Sequence, residues 1–161
     1  MGGLGALAVA AELARLRIHW LGRLLVGWIR PLLKPQEMHR VTGASFLAWG
    51  ALLALLLLGH EASRVGILIQ AWGDPAGALV GTLWGRHRIR GLKSLEGSLA
   101  YFVGACLAIG TLTALGWGVP WWAGVAGAAS ATLVEALNPP PDDNLWGPIA
   151  AAAGVWTITH L

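Results

Sequence analysis

"GSLAYFVGACLAIGTLTALGWGVPWWAGVAGAASATLV", residues 97–134, contains no Asp, Glu, Lys, Arg or His. A helix needs about 20 apolar residues to cross the ~30 Å hydrocarbon core of a bilayer, so the stretch is long enough for nearly two crossings. Gly116 to Pro120 offers a turn in its middle. Two apolar helices folded back on each other are therefore predicted. In hydrocarbon every backbone N–H and C=O must be satisfied within the protein, which leaves helices or closed barrels, and the alternating pattern of barrel strands is absent.

Outward from this stretch the same pattern repeats. "GASFLAWGALLALLLLG" (43–59) fits one span, about 62–83 fits another, and about 145–161 fits a last one in which His160 is the one ionisable side chain. Of 161 residues 56% are hydrophobic and 12% charged, against about a quarter charged in ordinary soluble domains. Too few ionic groups remain to solvate a globular surface. The expected fold is all-α: a polytopic helical membrane bundle of about five transmembrane helices plus a short N-terminal amphipathic or half-spanning helix. It forms a single domain over 1–161, with a basic N-terminal helical segment at 1–42 and a transmembrane core at 43–161. "GGLGALAVAAELARLRIHW" has about eleven apolar residues before Glu12 and no basic leader, and so reads as an interfacial helix rather than a removable signal peptide. The single cysteine, Cys106, lies inside an apolar run and offers neither a disulfide framework nor a thiol site.

Charge sets the orientation. Six of the eleven Lys and Arg residues lie between Arg15 and Arg40, four between Arg86 and Lys93, and Arg64 stands apart. Counting spans from Gly43, both basic segments and the "NPPPDDN" loop (138–144) fall on one face, which the positive-inside rule makes cytoplasmic. The links around His60–Arg64 and Gly116–Trp122 then face outward, where Trp117, Trp121 and Trp122 suit the interfacial aromatic belt.

Three polar clusters share the cytoplasmic end. Asp74, between Gly73 and Pro75, lies within a span, where an ionised carboxylate is costly unless it meets a cavity, a metal or a cation. Pro75 removes a backbone donor and is expected to loosen the helix into a polar notch. Gly73, Gly77, Gly81 and Gly85 recur every four residues, a spacing that serves tight helix packing, close backbone approach to a ligand, or both. Arg86, His87 and Arg88 follow, then Lys93-Ser94 at an expected helix start, where free N–H groups beside cations suit phosphate oxygens. No Walker loop is present, because Leu92 separates Gly91 from Lys93. Glu96 nearby makes sense if Mg²⁺ bridges carboxylate and phosphate. The third cluster is Glu135 with Asp142, Asp143 and Asn144; the alternative for the Asp pair is a turn and helix cap. The five histidines lack zinc-ligand spacing, and no G-x-S-x-G elbow occurs.

At these residues the chain resembles a known family. "GDPAGALVGTLWGRHRIRGLKSLEGS" (73–98) is similar to the signature of the dolichol kinase, phytol kinase and CTP-dependent diacylglycerol kinase group, and "ATLVEALNPPPDDNLWGP" (131–148) to that group's later pattern. Glu12, Arg15, Glu37, Arg40 and Gly43 match more loosely. The resemblance implies an integral membrane enzyme that moves a phosphoryl group from CTP, or another nucleoside triphosphate, to a lipid alcohol such as a polyprenol or diacylglycerol, with Mg²⁺. The more distant phosphatidate cytidylyltransferases share the first motif, but their Gly-His-Gly-Gly turn and Asp-Arg-x-Asp-Ser run are missing, and "PPDDN" stands in that place. A membrane transporter or assembly protein is the alternative outside enzymes.

The expected catalytic residues are Asp74, Lys93, Glu96 and Asp143. Asp74 and one of Asp142 or Asp143 are expected at magnesium or the hydroxyl, and Glu96 at metal or holding Lys93. Expected nucleotide or phosphate contacts are Gly73, Gly77, Gly81, Gly85, Arg86, Lys93, Ser94, Gly97, Ser98 and Asn144. The expected metal set is Asp74, Glu96, Glu135, Asp142 and Asp143. Partners are the nucleotide, a lipid alcohol and membrane lipids, with a homodimer left open and no nucleic acid.

Overall fold

The computed structural model describes residues 42–90, 93–116 and 119–161. The N-terminal segment 1–41, with Glu12, Arg15, Glu37 and Arg40, and Trp117 lie outside the described residues. Helix α1 (Gly43–Leu58) is capped by Thr42, whose hydroxyl accepts from the Ser45 N–H at 3.3 Å. It ends at Gly59, where φ of +81° favours glycine, and α2 (His60–Trp84) starts at the next residue. A two-stranded antiparallel ribbon follows, β1 (Arg88–Arg90) against β2 (Lys93–Ser94). Then come α3 (Leu95–Ala114), α4 (Trp121–Leu137) and α5 (Asp143–Thr159).

The apolar stretch at 97–134 therefore does fold into two helices with the turn near Gly116, which has φ of +68°. All five described helices fall where the apolar runs predict them. Lys93-Ser94 does mark a helix start: the pair is extended and Ser94 caps the helix that begins at Leu95. One local expectation changes. Helix α2 runs unbroken through Pro75. A proline inside a helix costs about 3 kcal/mol or more, and here the flanking Gly73 and Gly77 lie flush on α3, so packing on both sides holds the helix through the missing hydrogen bond.

The bundle pairs α2 with α3 and α4 with α5, and α5 also lies against α1 and α2. Its interior is built from small residues: Ala54, Ala62, Ala105, Ala123, Ala128, Ala131, Ala151 and Ala152 are buried with Ile69, Tyr101 and Val155. The large aliphatic side chains point outward, among them Leu56 (71% exposed), Leu57, Leu99 and Leu133. Helix α3 is long and apolar enough to cross a membrane by length and composition; α1 is apolar but shorter, with 16 residues. Helix α2 has 25 residues, about 37 Å at 1.5 Å per residue, and carries Glu61, Arg64 and Asp74.

Candidate functional site

The glycine ribbon on α2 is a packing seam. A Cβ on Gly73 would lie 2.7 Å from the Tyr101 ring, one on Gly77 3.1 Å from the Gly97 carbonyl, and one on Gly85 2.6 Å from Ser94 Oγ. Gly97 returns the contact, since a Cβ there would meet the Gly77 carbonyl at 3.0 Å and Gly81 Cα at 3.1 Å. Of the two uses open to this spacing, helix packing is the one seen: a Cβ on Gly73, Gly77, Gly85 or Gly97 would meet protein atoms at 3.1 Å or less. Ser94 is likewise engaged. Its buried hydroxyl accepts from the Gly97 N–H at 3.1 Å, an N-cap that satisfies a donor otherwise open to an anion.

The seam brings α2 to an abrupt end beside the start of α3, and Glu96 secures the junction. Its carboxylate accepts from the backbone N–H groups of Arg86 (3.1 Å) and His87 (3.2 Å), while His87 Nδ1 lies 2.6 Å away. Glu96 thus organises the turn that launches the ribbon. The contacts seen for Glu96, expected from the sequence at metal or holding Lys93, are these bonds to Arg86 and His87. Arg86 and His87 are exposed at this end of the bundle.

The ribbon carries Lys93 back over the bundle, where two distant helices meet it. Nζ lies 2.5 Å from Asp143 Oδ2, in the first turn of α5, and 3.0 Å from Glu135 Oε1, in the last turn of α4. The lysine side chain is 21% exposed and its partners 8% and 11%. Ser98, one turn into α3, donates to Glu135 Oε2 at 2.6 Å. Burial pulls the Lys93 pKa down, but the Asp143 and Glu135 carboxylates outweigh it and hold the ammonium above its ordinary value. One positive and two negative groups leave the cluster with a net charge of −1.

Asp142 and Asn144 form the edge of this cluster. Asp142 caps α5, its Oδ1 accepting from both the backbone N–H and the side-chain Nδ2 of Asn144 at 2.9 Å. The cap expected as the alternative use of the Asp pair is therefore taken by Asp142, while Asp143 turns inward. Asn144 Oδ1 in turn accepts from Gln70 Nε2 at 3.1 Å, and Gln70 Oε1 accepts from the Tyr101 hydroxyl at 2.5 Å. Gln70 and Tyr101 are buried, at 3% and 0% exposure. Neither stood out in the sequence, although lone polar side chains inside apolar helices carry a signal of their own.

The expected site residues thus divide. Lys93, Ser98, Glu135 and Asp143 come together, and Asp142 and Asn144 adjoin them. Glu96 sits at the ribbon's base. Asp74, half-buried, follows the Gly73 that abuts the Tyr101 ring. Among the described residues no group of three or more His, Cys, Asp or Glu side chains is arranged as a metal-ligand set. Glu135 and Asp143 do converge, and a pair of carboxylates with surplus negative charge fits the one or two that Mg²⁺ usually takes alongside substrate oxygens.

The chain matches no protein-family model and no solved structure. It is similar to a phytol kinase from Synechocystis sp. (strain ATCC 27184 / PCC 6803 / Kazusa), with 36% identity over 106 residues, 62% of this chain and 45% of that protein. The match thus takes in less than half of the relative's length.

Proposed function

We propose that this chain is a membrane lipid kinase, transferring the terminal phosphoryl group of CTP or another nucleoside triphosphate to the hydroxyl of a long-chain alcohol. One observation carries the reading: Lys93, delivered by a ribbon, meets Glu135 and Asp143 from two other helices at one end of an apolar bundle. Similarity to a phytol kinase supports the reaction class. A small-residue interior inside a coat of exposed leucines supports immersion in a bilayer, since lipid-facing surfaces are apolar and interhelical ones small. The basic ribbon then faces the cytoplasm.

Phosphoryl transfer asks mainly for positioning and charge stabilisation. Lys93 places a cation where triphosphate oxygens enter from the aqueous end. Its carboxylate partners keep it charged and fix its direction. Glu135 and Asp143 are the residues that would hold Mg²⁺, which when bound supplies positive charge to the phosphate oxygens. Arg86, exposed beside the ribbon, adds charge for the nucleotide. Asp74 lies about 15 Å below the end of α2, ten residues from Trp84 at 1.5 Å per residue. Gln70, one turn away on α2, bonds Asn144 beside Asp143, so Asp74 suits the carboxylate that takes the proton of the lipid hydroxyl as its oxygen attacks the terminal phosphorus and the nucleoside diphosphate leaves.

The test is purified protein in detergent with γ-labelled CTP and a panel of phytol, geranylgeraniol, polyprenol and diacylglycerol. Label appearing in a lipid monophosphate with release of CDP is the expected result. Release of pyrophosphate would instead identify a cytidylyltransferase, and no transfer to any alcohol from CTP or ATP would overturn the kinase reading.

A further inference from the structure

The buried chain Tyr101–Gln70–Asn144–Asp142 joins α3, α2 and α5 just beneath the Lys93 cluster, and its chemistry allows one direction only. The Asp142 carboxylate accepts and does not donate, so Asn144 must present Nδ2 to it. Asn144 Oδ1 is then left for Gln70, which must present Nε2, leaving Gln70 Oε1 to accept from Tyr101. Every amide orientation is dictated by the carboxylate at the end.

Glycines make room for the chain. A Cβ on Gly147 would lie 2.0 Å from Gln70 Oε1, so the glutamine lies directly across the first turns of α5. A Cβ on Gly73 would enter the Tyr101 ring. Gly50 presses α1 onto the same turn, where a Cβ would come within 2.3 Å of the Leu145 carbonyl. The α5 start is therefore met by α1 through Gly50 and by α2 through Gln70, and the α2 contact is the hydrogen-bonded one. Asp142 caps this turn, and Asp143, the next residue, meets Lys93.

We propose that Gln70 and Tyr101 are positioning residues: acting through Asn144 and the Asp142 cap, they set the rotation of the α5 first turn and thereby aim the Asp143 carboxylate at Lys93. Neither touches the reacting groups. The consequence for catalysis rests on the kinase reading, whereas the positioning itself does not.

Carbodiimide coupling reads the positioning directly, because it joins an amine to a carboxylate in contact. In the intact protein Lys93 should couple to both Asp143 and Glu135, and peptide mass spectrometry gives the ratio of the two products. Gln70→Glu keeps size but removes the only donor Asn144 can accept from. The Lys93–Asp143 product should then fall about fivefold relative to Lys93–Glu135, the equilibrium equivalent of one net hydrogen bond. General destabilisation would lower both products together. Tyr101→Phe should shift the ratio in the same sense by a smaller factor, and it carries the test if Gln70→Glu does not fold. An unchanged ratio in folded Gln70→Glu or, if Gln70→Glu does not fold, an unchanged ratio in Tyr101→Phe would overturn the proposal. A wild-type chain that shows the ratio and its shifts but phosphorylates no alcohol would overturn the kinase reading and leave the positioning intact.

Discussion

Two acidic side chains from the two sequence motifs, Glu96 of residues 73–98 and Glu135 of residues 131–148, meet different fates. Glu96 bonds residues nine and ten positions away and lies where water competes for it. Glu135 is buried and bonds Ser98, 37 positions away, and Lys93 from the same remote segment. The first arrangement closes a turn; the second gathers charge at the end of a bundle. Carboxylates of one motif class therefore serve different purposes, according to whether their partners are local or come from other helices.

The largest expected effect comes from breaking the distant cluster. Lys93→Ala should lower turnover at least ~100-fold in the labelled-CTP assay, the loss of several kcal/mol of charge stabilisation. It also leaves Glu135 and Asp143 facing each other uncompensated, which costs about 3–5 kcal/mol of stability. Lys93 is paired with two buried carboxylates, so its removal reaches the bundle as well as the reaction. Adding Asp143→Asn should recover part of the melting temperature and none of the turnover. The sign of the pH dependence follows from the same pairing. The folded Lys93 pKa is raised, so its contribution is fully present below the ordinary lysine value and is lost as pH climbs through the raised one. Stability measured from pH 7 to 10 should show no loss from this group.

Smaller effects are expected along the seam that positions both carboxylates. Gly73→Ala forces a methyl group into the Tyr101 ring and should cost about 1–3 kcal/mol, as overpacking typically does. Gly110→Ala, where nothing lies within 4 Å, should instead stabilise α3 by up to about 1 kcal/mol. Equal melting temperatures for the two variants would show that the seam is looser than its distances imply.

The local turn should give the smallest response. His87→Ala removes the exposed ring contact to Glu96 but leaves both backbone N–H bonds in place. Only a slight fall in melting temperature is expected, since an exposed side-chain contact contributes little. A loss of turnover comparable to that of Lys93→Ala would erase the distinction between the two acidic groups and place Glu96 in the reaction.

Much of this was legible without coordinates. Five apolar runs separated by Gly, Pro and charge announced five helices, because the cost of burying backbone and the need for turn residues are local and leave a pattern in every segment. The clustering of Lys93, Glu135 and Asp143 at one end followed from counting crossings. Tertiary structure decided the rest. It packed the glycine ribbon of α2 against α3, made Asp142 a cap and Asp143 a lysine partner, and tied Glu96 to the turn at Arg86 and His87. It also brought in Gln70 and Tyr101, which no spacing announced. The physical reason is that hydrogen-bond and ion-pair partners here come from different helices, and which atoms meet depends on the depth and rotation of one helix against another, set by glycine contacts that a linear pattern does not encode.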